Sequence, residues 1–137
     1  MDKIKVFIST SSFGEQDPAP IKALTDAGFE VTLNPFNKKL TKEEALRLFP
    51  GHDGLIAGLE TLDEEVLSKT GLKVISRCGA GVSNVDLDAA RRLNVQICST
   101  PDAPTLAVAE LTIGVLLALL RNIPQMDRDL HEGQWRK

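Results

Sequence analysis

Tyrosine is absent from this 137-residue chain, tryptophan occurs once and phenylalanine five times. The stacking platforms that single-stranded nucleic acid or a flavin ring favour are therefore missing. Cysteine and histidine are as scarce. Cys78 and Cys98 show no C-x-x-C spacing, and His52 and His131 stand alone, which argues against a zinc centre or any other metal site. Both thiols read as free and buried, as in a reducing compartment. There is no excess of positive charge: the net charge of −3 and pI near 5.4 leave no basic face for nucleic acid. No apolar run reaches the ~20 residues of a bilayer span, and Met1-Asp2-Lys3-Ile4 shows no signal peptide. The expectation is a cytoplasmic globular protein with neither nucleic acid nor membrane as partner.

What is present alternates. Lys5 to Ile8, Phe29 to Leu33, Gly54 to Ala57, Leu72 to Ile75 and Val95 to Cys98 are short apolar runs that read as strands. Between them lie helix signals. Pro18 and Pro20 suit a first turn that Gly28 closes. Thr41-x-x-Glu44 and Thr61-x-x-Glu64 have the form of capping boxes. Asn84 or Asp86 can cap a helix over Leu87 to Leu93. Parallel strands need such crossovers. The pattern predicts an α/β fold: a doubly wound five-stranded parallel sheet in the flavodoxin-like order 2-1-3-4-5, extending over residues 1–100. Residues 101–137 read differently. Leu106 to Leu120 is apolar nearly all round, an extra long C-terminal helix that needs something to bury it, and Pro124 to Glu132 is a short polar helix.

The fold order predicts where a ligand sits: beyond the carboxyl ends of the strands, where the winding reverses. That place gathers Ser9 to Gly14, Ala57 to Thr61 and Cys78 to Ser83. In the last of these, Gly79-Ala80-Gly81 leaves backbone N–H groups uncovered between a strand and a helix, an arrangement that can hold an anion or simply make a βα turn. Ala57-Gly58-Leu59 is a second bare stretch, and Gly58 reads equally as a strand terminator. Gly79-x-Gly81 resembles the opening of a dinucleotide fingerprint, but Asn84 replaces its third glycine and no acidic residue closes the next strand. Lys38, Lys39 and Arg77 are the basic residues available to a substrate phosphate.

Three features recur together: Arg77-x-Gly79-x-Gly81-x-x-Asn84-x-Asp86, Thr100-Pro101 followed by Val108-Ala109-Glu110-Leu111, and Gly133-x-Trp135. In this order they resemble the N-terminal part of the NAD-dependent D-isomer-specific 2-hydroxyacid dehydrogenases, nearest to the D-3-phosphoglycerate dehydrogenase branch. The resemblance implies a substrate-binding half, with the substrate carboxylate on the backbone of Cys78, Gly79, Ala80 and Gly81, beside Gly58. It places Ala80, Thr105 and Val108 toward the nicotinamide, and it implies a small 2-hydroxy or 2-oxo acid as substrate. It also implies a homodimer through the Leu106–Leu120 helix. No residue here matches the family's catalytic positions. The chain is therefore expected to be a truncated fragment of an NAD enzyme, without turnover and without tight NAD binding of its own. The alternative is a free-standing flavodoxin-like binding or dimerisation module.

Overall fold

The computed structural model describes residues 3–135. Met1 and Asp2 of the N-terminal lead-in, and Arg136 and Lys137 of the terminal segment, lie outside the described residues. The elements run β1 (Lys5–Ile8), α1 (Ala19–Asp26), β2 (Glu30–Leu33), α2 (Lys42–Leu48), β3 (Gly54–Ala57), α3 (Glu64–Thr70), β4 (Val74–Arg77), α4 (Leu87–Arg92), β5 (Gln96–Ser99), α5 (Thr105–Leu120) and α6 (Ile123–His131). All five strands are parallel, in the order β2-β1-β3-β4-β5, as the alternation predicts. β1 and β3 are covered on both faces, which is why they carry near-continuous apolar residues.

The core lies between the sheet and α2, α3 and α4, built on Phe7, Leu40, Phe49, Leu55, Leu62, Val66 and Ile75. Phe7 packs against Phe49 at 5.3 Å and edge-on to His52 at 5.2 Å between ring centroids. The His52 ring also bonds the Phe49 carbonyl and Thr32 Oγ1; its role is to pack and tie, not to ligate.

The capping box at Thr41 forms in full: Glu44 N–H donates to Thr41 Oγ1, and Thr41 N–H donates to the Glu44 carboxyl. The second expected box, Thr61 with Glu64, does not form. Asp63 caps α3 instead, accepting from Val66 N–H. The reason is long-range, because Leu62 forms a β-bridge with Val85 and this keeps the chain extended up to the cap. Asp86 caps α4 by accepting from Ala89 N–H. Asn84, the other candidate, donates to the carbonyls of Gly58 and Glu60. β4 and β5 also start later than the apolar runs suggest. Leu72 is buried in the connection before β4, and the pairing extends to Arg77 opposite Ala57 and Ser99.

The chain divides into two compact units, one up to Pro101 and one from Asp102. In the second, none of the sixteen residues of α5 is buried; α5 and α6 meet at a 63° bend, where Asn122 takes a left-handed conformation. Among the described residues, no single helix is long and apolar enough to cross a membrane.

Candidate functional site

The first unit carries a cleft of about 300 Å³ at the carboxyl ends of β1, β3 and β4. Ser9 to Ser12 line it after β1, Gly58 to Glu60 after β3, Arg77 and Cys78 at the end of β4, and Lys39 from the segment before α2. This is the winding reversal to which the strand order assigns a ligand. A second groove, of about 350 Å³, lies along α4 and the edge strand β5. Its lining mixes apolar Val82, Leu87, Val95 and Ile97 with polar Arg91, Cys98 and Ser99.

The cleft wall is one hydrogen-bonded network. Glu60 is 1% exposed. Its Oε1 accepts from the Ser9 hydroxyl at 2.5 Å and from Gly58 N–H at 3.2 Å. Gly58 N–H also donates to Ser9 Oγ, and the Asn84 amide grips the carbonyls on both sides of Leu59. Three loops distant in sequence are thus fixed by two side chains, Ser9 and Asn84. Burying a carboxyl group is costly unless it is bonded in this way.

Gly79 has φ +139°, and a Cβ on it would stand 2.3 Å from Arg77 Nη1. That φ favours glycine, and a side chain there would also have to push the Arg77 guanidinium aside. Arg77, itself 9% exposed, donates through Nη1 to the Cys78 carbonyl. Its place is beneath the loop, which it props.

The donors in this loop are unequally available. Cys78 N–H donates to Ala57 O at 2.9 Å, continuing the sheet. Gly79 N–H donates to Thr100 Oγ1, while Gly79 O accepts from Thr100 N–H. Among the described residues, Ala80 and Gly81 N–H have no partner. The anion-holding capacity therefore lies at Ala80 and Gly81, on the loop that continues from Cys78, the last of its residues to line the cleft, with Gly79 adding a donor if Thr100 yields. The helix start does not contribute, since α4 begins six residues after Gly81 and its first turn is capped by Asp86.

Gly58 and Cys78 come together in the cleft, whereas Thr105 and Val108 belong to the second unit, exposed on the first turn of α5. Both thiols are exposed rather than buried: Cys78 lies just past the end of β4, and Cys98 lies within the edge strand β5. Lys39 lines the cleft, while Lys38 pairs with Glu44 at 2.9 Å. Glu60 and Thr10 are the site residues that sequence reasoning did not single out.

The described residues do not fit NAD by themselves. Asn84 stands where a dinucleotide loop requires its third glycine, and no helix N-terminus opens onto Gly79 or Gly81. Among the described residues, no group of His, Cys, Asp and Glu side chains could hold a metal ion.

The family profile "D-isomer specific 2-hydroxyacid dehydrogenase, catalytic domain" matches residues 6–128. The chain belongs to the D-isomer-specific 2-hydroxyacid dehydrogenases. Within that family it is 36% identical to D-3-phosphoglycerate dehydrogenase of Rattus norvegicus over 133 residues, which is 96% of this chain and 24% of the rat enzyme. It is 41% identical to the Methanocaldococcus jannaschii D-3-phosphoglycerate dehydrogenase over 98 residues, covering 70% of this chain and 19% of that one. Among solved structures, a Thermus thermophilus protein superposes with a TM-score of 0.83 at 30% identity, over 98% of this chain and 42% of its own. An NAD+-bound 3-phosphoglycerate dehydrogenase of Entamoeba histolytica gives 0.74 at 27% identity, over 85% and 39%. This family chain thus spans about a quarter of the length of its curated relatives.

Proposed function

We propose that this chain is the substrate-binding part of an NAD-dependent D-2-hydroxyacid dehydrogenase. In this reading the Ala80 and Gly81 N–H groups hold the substrate carboxylate, with Gly79 and Cys78 completing the loop and Gly58 facing the substrate. The observation that carries the reading is the pair of unpartnered N–H groups beside a cleft at the sheet's winding reversal. Two backbone donors on a loop propped by Arg77 are preorganised, so binding an anion costs little reordering.

NAD supplies the redox chemistry in the whole protein and is held mainly by residues outside this chain, with Ala80, Thr105 and Val108 on its nicotinamide side. The chain by itself binds NAD weakly and does not turn over substrate. The apolar surface of α5, from Leu106 to Leu120, joins two copies into a homodimer, since so large an exposed apolar face marks an interface. The relatives are named D-3-phosphoglycerate dehydrogenases, which makes 3-phosphoglycerate a candidate substrate of the whole protein.

Calorimetric titration of the chain with D-lactate checks the carboxylate reading. The expected result is saturable binding that Gly79→Ala abolishes, because the added Cβ displaces Arg77 and deforms the loop. Binding that survives Gly79→Ala contradicts it. Light scattering checks the dimer, and a monomer at high concentration rules it out. NADH formation by the chain alone overturns the expectation of inactivity.

A further inference from the structure

Thr100 stands just past β5, within the first unit, and exchanges two hydrogen bonds with the glycine loop. Gly79 N–H donates to Thr100 Oγ1 at 3.0 Å, and Thr100 N–H donates to Gly79 O at 3.1 Å. Pro101 follows, and a residue before proline is confined largely to extended conformations. Threonine is also stiff about χ1, so the pair Thr100-Pro101 gives the hydroxyl little freedom to leave Gly79. A hydroxyl has two lone pairs and one proton. One lone pair of Thr100 Oγ1 takes the Gly79 N–H, and the proton meets no acceptor among the described residues. Thr100 is exposed, so in the free chain that proton is left to water. The Ala80 and Gly81 N–H groups have no partner among the described residues either. A side-chain donor is thus tied to the loop one residue before its two free amides.

We propose that Thr100 is a substrate-binding residue, whose hydroxyl donates to the substrate carboxylate while it goes on accepting from Gly79 N–H. The proposal rests on the carboxylate reading above and adds a side-chain donor to its backbone ones. Gly79 N–H then serves the anion through the hydroxyl, and the bond between Gly79 and Thr100 does not have to break. Consecutive Cα atoms are about 3.8 Å apart, which keeps the hydroxyl close enough to the Ala80 amide for one carboxylate to take both. A hydroxyl rotates to suit its partners, so the proton can turn to the ligand while the lone pair stays on Gly79. An N–H donating into the oxygen polarises the O–H, and linked bonds of this kind strengthen one another. A bond to a charged acceptor is also roughly twice as strong as a neutral one. The opposite role for Thr100 is that of a plug, whose hydroxyl keeps Gly79 N–H away from the anion. Removing the hydroxyl weakens binding in the first case and frees a donor in the second.

The test is an amide NMR titration with D-lactate of the unaltered chain, Thr100→Val and Thr100→Ser. Thr100→Val keeps the shape and the backbone bond to Gly79 O, removes the hydroxyl and leaves Gly79 N–H free. It is expected to raise the Kd about tenfold, the worth of one hydrogen bond to a charged group. Thr100→Ser keeps the hydroxyl and is expected to restore most of the affinity. Before ligand is added, the Ala80 and Gly81 amides of Thr100→Val are expected to match those of the unaltered chain, which a loop merely deformed by the substitution would not allow. Binding by Thr100→Val as tight as that of the unaltered chain, or tighter, makes Thr100 a plug and overturns the proposal. Thr100→Ser as weak as Thr100→Val, or displaced Ala80 and Gly81 amides in free Thr100→Val, overturns it as well, and all three results leave the carboxylate reading intact. If D-lactate does not shift Ala80 and Gly81 in the unaltered chain, the carboxylate reading fails and the proposal fails with it.

Discussion

Helices α3 and α5 place apolar residues by opposite rules. α3 has seven residues and buries three of them, Val66, Leu67 and Thr70, against the sheet. α5 has sixteen residues, twelve of them Ala, Val, Leu or Ile, and buries none. The short helix is amphipathic, with Glu64, Glu65 and Lys69 on its other side, and so it has one face to bury and one to keep wet. α5 has no such division. An apolar stripe fixes a helix on a sheet, whereas apolarity all round calls for surfaces on several sides. In this chain the folded scaffold and the site belong to the first unit, and the second unit offers surface.

Core truncation should break this contrast most sharply. Phe7→Ala, in the middle of the Phe49 and His52 packing, is expected to cost about 3–5 kcal/mol, enough to unfold a marginal domain. Leu119→Ala on α5, where Leu119 is 73% exposed, is expected to stay within about 0.5 kcal/mol. Urea denaturation of both variants at low protein concentration measures the difference.

Glycine substitutions give a smaller version of the comparison. Gly79→Ala is strained both by its φ and by Arg77, and is expected to destabilise by about 1–3 kcal/mol. Gly114→Ala in α5 meets nothing within 4 Å, and is expected to raise helix stability by up to about 1 kcal/mol. Thermal melts followed by circular dichroism should move in opposite directions.

Caps come next. Thr41→Ala removes a formed capping box and is expected to cost about 1 kcal/mol. Thr61→Ala, outside the observed cap, is expected to change the urea midpoint little.

The pH response is the smallest effect and arises within the first unit. Lys42 bonds Asp63 and Glu65 at 2.5 and 2.6 Å, which pushes its own pKa up to about 12 and holds both carboxyls below their ordinary values. Asp53 is lowered by Lys73 and by Lys5 N–H, and Glu44 by Thr41 N–H and then Lys38. Depressed carboxyl pKa values stabilise the fold above the unfolded-state values near 4, and that stability is lost as the pH falls through the lower folded values. The urea midpoint is therefore expected to be level from pH 7 to 5 and to drop below pH 4. Lys42→Met should flatten that drop.

The strand order was legible in the sequence because each apolar run is bounded by glycine, proline or a capping residue, and the winding reversal followed from the order. The glycine loop was legible for the same reason. Two things were not. The Thr61 pattern satisfies the capping-box spacing as well as Thr41 does, and only the bridge between Leu62 and Val85 decides against it. Glu60 looks like a solvated loop acid. Its burial depends on Ser9, 51 positions away, and on Asn84, 24 positions away, contacts that local pattern does not encode. The thiols read as buried are exposed, because a reducing compartment says nothing of position: Cys78 lies just past the end of β4 and Cys98 on the edge strand β5.

Amide hydrogen exchange at Ala80 and Gly81, with and without saturating D-lactate, tests the central claim most directly. Both N–H groups lack partners among the described residues, so the account predicts fast exchange in the free chain, against slow exchange in β1, β3 and β4, and marked slowing at these two positions once the acid binds. Slow exchange in the free chain, or rates at Ala80 and Gly81 that D-lactate leaves unchanged, would contradict it.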